Sequence, residues 1–169
     1  QLVRDCRIAM IYEGTNGIQA LDLVGRKLGA NGGRAIQAFF KHVGEVLKAN
    51  EGVEGMEIFT ESLDRGLKSL QRASLWLMQN AMANPDNAGA ASTCYLNIFG
   101  HVALGLMWTQ IARTSLDKLA AGDTDTDYLN NKLITGRYYM KRRMPEIRSY
   151  LTELEAGCEE MMALDAASF

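Results

Sequence analysis

Two prolines, three cysteines and two histidines are all that 169 residues hold of each type, and each scarcity excludes something. With only Pro85 and Pro145, long stretches are free of the residue that removes a backbone donor and clashes with the preceding turn. Cys6, Cys94 and Cys158 are too few and too widely spaced for a disulfide framework or a zinc cluster. Reduced thiols in a cytoplasmic protein are the expectation. His42 and His101 stand at no ligand spacing from another His, Cys or carboxylate, so no metal site is expected. His101, within an apolar stretch, reads as a hydrogen-bonded core residue. An excess of one charge is lacking as well: 18 Lys+Arg against 20 Asp+Glu give a formal net charge of -2, which argues against a body that binds nucleic acid. The early apolar stretch is interrupted by Arg4, Asp5 and Arg7 and does not read as a signal peptide. Gly29, Gly32 and Gly33 follow no strand-like run, so they form neither a Walker nor a Rossmann phosphate loop.

What the sequence does have is helical periodicity. Leu2 to Met10 forms a first short helix. Thr15 or Asn16 then caps a second one, with Ile18, Leu21, Val24 and Leu28 as its apolar stripe. The Gly-Ala-Asn-Gly-Gly run at 29–33 breaks the chain. Ile36, Phe39, Phe40, Val43 and Leu47 repeat at helical spacing up to Asn50-Glu51-Gly52, and a longer helix is expected from about Met56 to Met82. Asn84-Pro85-Asp86-Asn87 stops it and starts the next. That next helix, about Ala88 to Leu119, has no Asp, Glu, Lys or Arg between Ala90 and Ile111. Asn97, His101, Thr109, Gln110 and its glycines weigh against a membrane span, so it is expected to be buried on most faces of a bundle. After a turn ending in a cap at Asp125, Tyr128 to Leu164 reads as helix with a break where Pro145 follows Met144. The predicted fold class is all-α: a lead-in helical hairpin at 1–30, then an antiparallel four-helix bundle at 31–169. The opening residues already read as the interior of an element, and the expectation is a C-terminal piece of a longer polypeptide.

Two places are left where chemistry can live. Arg137, Lys141, Arg142, Arg143 and Arg148 are either a solvated helix face or a docking patch for phosphate or an acidic partner. Ile11-Tyr12-Glu13-Gly14-Thr15-Asn16 sets a carboxylate beside an aromatic ring just before a helix. Apolar neighbours disfavour the ionised form and raise a carboxyl pKa toward the range of a general base. Gly14 lets a ligand approach the backbone, and the amides after Thr15 favour anionic groups. The plainer alternative is that Glu13 only meets the helix dipole while Thr15 caps it.

The run Leu2-Val3-Arg4-Asp5-Cys6-Arg7-Ile8, followed by Ile11-Tyr12-Glu13-Gly14-Thr15-Asn16-Gly17-Ile18-Gln19, resembles the catalytic segment of the acyl-CoA dehydrogenases. Ala20 to Leu28 resembles their large bacterial branch with a C-terminal helical extension, the 3-methylmercaptopropionyl-CoA dehydrogenase-like enzymes. The sharp match covers about the first 28 residues. The resemblance implies FAD-dependent α,β-dehydrogenation of an acyl-CoA thioester. In it Glu13 removes the α-proton, hydride passes to flavin N5, and the Glu13 N–H helps hold the thioester oxygen. It implies substrate contacts at Tyr12 and Gly14, FAD contacts at Thr15 and Gly17 across a subunit interface of a homo-oligomer, and electron-transfer flavoprotein as acceptor. Gly17 departs from the Glu or Gln of many members, and Gly25 from a substrate-binding Arg of some. Arg26 is one position later, turned by ~100°. The implied flavin pocket lies mostly outside these residues, so the chain alone is expected to be inactive. The other expectation is a non-catalytic interaction or oligomerisation module from Arg34 onward.

Overall fold

The computed structural model describes residues 1–11 and 14–168. Tyr12, Glu13 and Phe169 lie outside the described residues. Among the described residues every regular element is helical, so the chain is all-α. The helices are α1 (Leu2–Ile8), α2 (Asn16–Asp22), α3 (Arg34–Ala49), α4 (Glu57–Ala83), α5 (Asp86–Ala120), α6 (Thr126–Arg142), α7 (Ile147–Glu155) and α8 (Glu159–Met162).

The ends follow from local chemistry. The Asn84 side chain accepts the Asp86 N–H at 3.0 Å, a side-chain turn that hands the chain through Pro85 into α5. α5 closes on Gly122 at φ 80°, with Asp123 N–H donating to the Lys118 carbonyl at 3.1 Å. That is the left-handed exit glycine favours. The Asp123 carboxylate then accepts the Asp125 N–H at 2.9 Å and sets up the start of α6. Pro145 ends α6 as expected, through a short 3-10 turn at Met144–Glu146. One more break was not expected. Gly157, at φ 75°, stops α7, and Cys158 N–H is taken up by the Asn87 side chain at 3.0 Å.

Side-chain pairs give the direction of each helix. Tyr95 meets Ser74, and an added Cβ on Gly66 would meet Val102, so α4 and α5 are antiparallel. His101 meets Tyr139 while Gly136 faces Trp108, and His101 stacks on Tyr150 while Cys94 lies beside Glu153, so α6 and α7 run back along α5. Phe39 stacks on Phe99 at 4.9 Å, while Arg113 reaches Asn50 at 3.4 Å, so α3 runs with α5. The four stretches α3, α4, α5 and α6–α7 therefore alternate in direction. Their apolar stripes meet in one core, with Phe59, Leu63, Leu70, Tyr95, Ile98, Val102, Met140 and Leu154 fully buried. At its centre the Pro145 turn drives Met144 between α4 and α5. Gly66 and Gly105 leave the room, since an added Cβ would lie 2.7 Å from the Met144 methyl at the first and 3.0 Å from its sulfur at the second.

Two expectations need correction. α5 is not buried on most faces: Leu104, Met107 and Ile111 form a bare stripe, 51%, 45% and 36% exposed. The helix is long and apolar enough to cross a bilayer by length and composition, with 44% of its most apolar window buried. Its neighbours α2, α3, α4, α6 and α7 leave that stripe uncovered among the described residues, and absence of charge does not supply a neighbour. The α2 stripe is also incomplete. Ala20 is buried, but Ile18 and Leu21 are exposed, because a π-helical turn at Leu23–Lys27 widens the coil and resets which residues face α5. Leu23, Val24 and Leu28 are the ones that pack on the core.

Candidate functional site

The turn between α1 and α2 is built by backbone geometry. α1 unwinds through bonds from Met10 N–H to the Arg7 carbonyl and from Ile11 N–H to the Ile8 carbonyl, each 3.1 Å. Tyr12 and Glu13, the expected substrate contact and base, lie outside the described residues. Gly14 has φ 141°, a conformation L side chains avoid, and an added Cβ would meet nothing within 4 Å. Glycine is needed there for backbone freedom and not for space. Thr15 occupies the cap position as expected, but by its backbone: its carbonyl accepts the Gln19 N–H at 2.8 Å, and its side chain makes no cap bond.

Gly14, Thr15 and Gly17 are all exposed. An added Cβ on Gly17 also meets nothing within 4 Å, so no cradle closes around the expected cofactor positions. Arg26 is held by Asp22 one turn earlier, which keeps the Asp22 carboxyl down at about 2 through that hydrogen bond and a second one from Lys27. Arg26 is therefore spent within its own helix and does not replace the arginine missing at Gly25.

Where the lead-in meets the bundle, a cleft of about 690 Å³ opens between Val24, Tyr150, Glu153, Met161 and Met162, with Cys94 in its wall. Its chemistry is inert. Burial, and then the Glu153 carboxylate beside it, push the Cys94 thiol up to about 11, so it stays protonated and is a poor nucleophile. Among the described residues no group of three His, Cys, Asp or Glu side chains is placed to hold a metal ion.

His101 is the bonded core residue expected, with partners the sequence did not reveal. One ring nitrogen lies 2.9 Å from the Tyr139 hydroxyl, and the other 3.5 Å from Glu146, which Arg143 holds at 2.6 Å. Burial lowers the His101 pKa and pushes the Tyr139 phenol up to about 12. Both rings are neutral near pH 7, so the group acts as a clamp between α5 and the α6–α7 bend. The 38-residue separation of His101 from Tyr139 carries no spacing pattern that could have found it. In the basic stretch only Arg143 has a carboxylate partner; Arg137, Lys141, Arg142 and Arg148 are exposed.

Comparison with known proteins places these features in a family context. A family model described as acetyl-CoA dehydrogenase C-terminal like matches residues 34–165. The chain is 30% identical over 150 residues to 3-methylmercaptopropionyl-CoA dehydrogenase of Ruegeria pomeroyi, covering 86% of the chain and 25% of that protein. It is 25% identical over 177 residues to the broad-specificity linear acyl-CoA dehydrogenase FadE5 of Mycobacterium tuberculosis, covering 100% of the chain and 29% of that protein. Butyryl-CoA dehydrogenase of Syntrophomonas wolfei is 24% identical over 170 residues, 97% of the chain and 27% of its own length. The chain thus spans about a quarter of the length of these curated relatives.

Proposed function

The chain belongs to the acetyl-CoA dehydrogenase C-terminal-like family, and from that membership we propose that it is the C-terminal part of an FAD-dependent acyl-CoA dehydrogenase carrying the catalytic base. The observation that carries this is coverage. The alignments with three acyl-CoA dehydrogenases take in 86%, 100% and 97% of the chain, more than the bundle alone. Glu13 removes the α-proton of the acyl thioester with a carboxylate oxygen. Its backbone N–H steadies the thioester oxygen as negative charge develops there. Tyr12 and Gly14 border the acyl group, and Thr15 and Gly17 border the cofactor. Bound in the whole protein, the flavin supplies the hydride acceptor. Electron-transfer flavoprotein takes the electrons onward, and a homo-oligomer completes the site across its interface.

The test is anaerobic mixing of the whole flavoprotein with a panel of acyl-CoAs, following loss of visible flavin absorbance in wild type and Glu13→Gln. Gln keeps the shape and removes the base. Loss of this general base slows bleaching by ~10²–10⁴-fold or more. Equal bleaching in both proteins refutes the assignment of Glu13.

A second reading rests on the bare face of α5. Leu104, Met107 and Ile111 present uncharged surface of the kind that marks an interface, which favours the bundle as an interaction or oligomerisation module. Sedimentation of the 169-residue chain across a concentration series checks it. A monomer at every concentration removes self-association.

A further inference from the structure

A second hollow lies where α4 faces the bend between α6 and α7. Its volume is about 60 Å³. A water-sized group needs ~10–15 Å³ of such space, so the hollow takes about four to six of them, room enough for a phosphate. The floor is apolar, formed by Gly66, Met140, Met144 and Ile147, and the rim carries Ser62, Arg65 and Arg148 with no carboxylate in the wall.

The rim is built rather than incidental. Ser62 is 4% exposed, and its hydroxyl oxygen accepts from the Arg65 guanidinium at 3.2 Å. That bond ties the arginine to the wall of the hollow, and a hydroxyl that accepts one bond still has a proton to donate. Glu61 touches Arg65 only loosely, at 3.6 Å. Arg148 lines the hollow from α7, with no carboxylate partner among the described residues. Lys141 lies one helical turn before Pro145, and Arg137 one turn before Lys141, so two more exposed cations share that side of α6. The segment 137–148 carries five cations against one carboxylate, Glu146, and Arg143 takes that carboxylate.

We propose that this hollow is an oxyanion site that takes a phosphate group between the guanidinium forks of Arg65 and Arg148, with the Ser62 hydroxyl as third donor. A carboxylate is planar and satisfies one fork. A tetrahedral phosphate presents oxygens to two forks arriving from different helices and to a hydroxyl between them. The apolar floor strengthens each charge-assisted bond by keeping water to one side. The site uses none of the residues assigned to thioester chemistry, so it stands or falls separately from that assignment.

Phosphate titration of the isotope-labelled 169-residue chain, read by NMR at ionic strength held constant with potassium chloride, tests it. The Arg65 and Arg148 side-chain Nε–H signals and the Gly66 amide should shift together and saturate, with half-saturation near ~1 mM, as a few charge-assisted bonds give. Arg148→Gln and Arg65→Gln should each weaken binding at least tenfold. Arg142→Gln, on the far side of α6, should leave it unchanged. Both rim arginines are exposed, so the variants should keep the wild-type melting temperature. A parallel titration with glycerol 3-phosphate separates the sources: tighter binding than inorganic phosphate points to a phosphate ester of a larger ligand, and equal or weaker binding to free phosphate. Shifts that stay linear with phosphate, or that Arg142→Gln weakens as much as Arg148→Gln, overturn the proposal. So does a hexaglutamate peptide that saturates these signals where phosphate does not.

Discussion

Two buried glycines at helix crossings invite the same substitution and should answer it differently. At Gly136 an alanine Cβ would lie 2.8 Å and 3.2 Å from two atoms of the Phe59 ring and 3.2 Å from the Trp108 ring. Phe59 is fully buried, and Trp108 leans on Tyr139. Two flat rings from two different helices close the space, and neither can turn away without pushing α4 or α5. At Gly66 the tightest contact, 2.7 Å, is with the terminal methyl of Met144, the end of a side chain with three rotatable bonds. Overpacking a well-filled core costs ~1–3 kcal/mol, and replacing a helical glycine by alanine returns ~1 kcal/mol. Two rigid rings put Gly136 in the upper part of that range, ~2–3 kcal/mol, so Gly136→Ala should lose about 1–2 kcal/mol net. Gly66→Ala should stay within about 0.5 kcal/mol of wild type, because a Met144 rotation relieves most of the overpacking. For a chain of this size the first corresponds to ~2–8 °C in Tm. Urea unfolding followed by far-ultraviolet circular dichroism measures both, with equal m values required for the comparison. A Gly136→Ala chain as stable as wild type, or less affected than Gly66→Ala, would refute the idea that ring rigidity decides the cost.

Two further outcomes follow from buried titratable groups. Burial lowers the His101 pKa from its ordinary 6.5, opposed by Glu146 and aided by Arg143. The unfolded chain then binds the proton more readily than the folded one, so stability is full above that range and falls as pH drops through 6.5 toward the folded value. His101→Gln should flatten the slope of unfolding free energy between about pH 7.5 and 5.5, and identical slopes would assign the acid loss to other groups. For the thiols, Cys6 is exposed while Cys94 and Cys158 are buried. Iodoacetamide near neutral pH should add one label to the native chain and three after urea, located by peptide mapping; native labelling of Cys94 would contradict its raised pKa.

Much of the fold is legible in the sequence because burial on one side of a helix leaves a periodic trace. Phe59, Leu63, Leu67, Leu70 and Leu77 mark α4 by spacing alone, and Pro145 marks the α6–α7 bend by its missing donor. What stayed hidden depends on neighbours. A charge-free run from Ala90 to Ile111 reads as buried all round, yet Leu104, Met107 and Ile111 face open space, since composition records what a residue tolerates and not what sits beside it. The stop at Gly157 is a single glycine in helix-forming surroundings, and only the Asn87 bond to Cys158 shows why the chain turns there. The same holds for the chemistry. Gly14 was readable as a position for backbone freedom, but the role of Glu13 comes from resemblance, and the Ser62–Arg65–Arg148 rim joins residues from two distant helices.

The lead-in and the bundle contribute to different properties, and this follows from where the apolar surface is spent. α1 has no buried residue, and Leu2, Val3, Ile8, Met10 and Ile11 are all exposed. The core is made by α3 through α7, and from the lead-in the partly buried Leu23, Val24 and Leu28 pack against it. Those three pin the far end of α2. At ~1.5 Å per residue, its seven residues hold the Gly14 turn about 10 Å from the anchored end. The turn is thus positioned by the bundle without contributing to its stability. Substitutions at the two ends should separate: Gly136→Ala lowers Tm while the turn keeps its geometry, and Glu13→Gln removes proton transfer with Tm unchanged. A Glu13→Gln chain that melts well below wild type would mean that the carboxylate helps hold the structure together, and the division between site and scaffold would then fail.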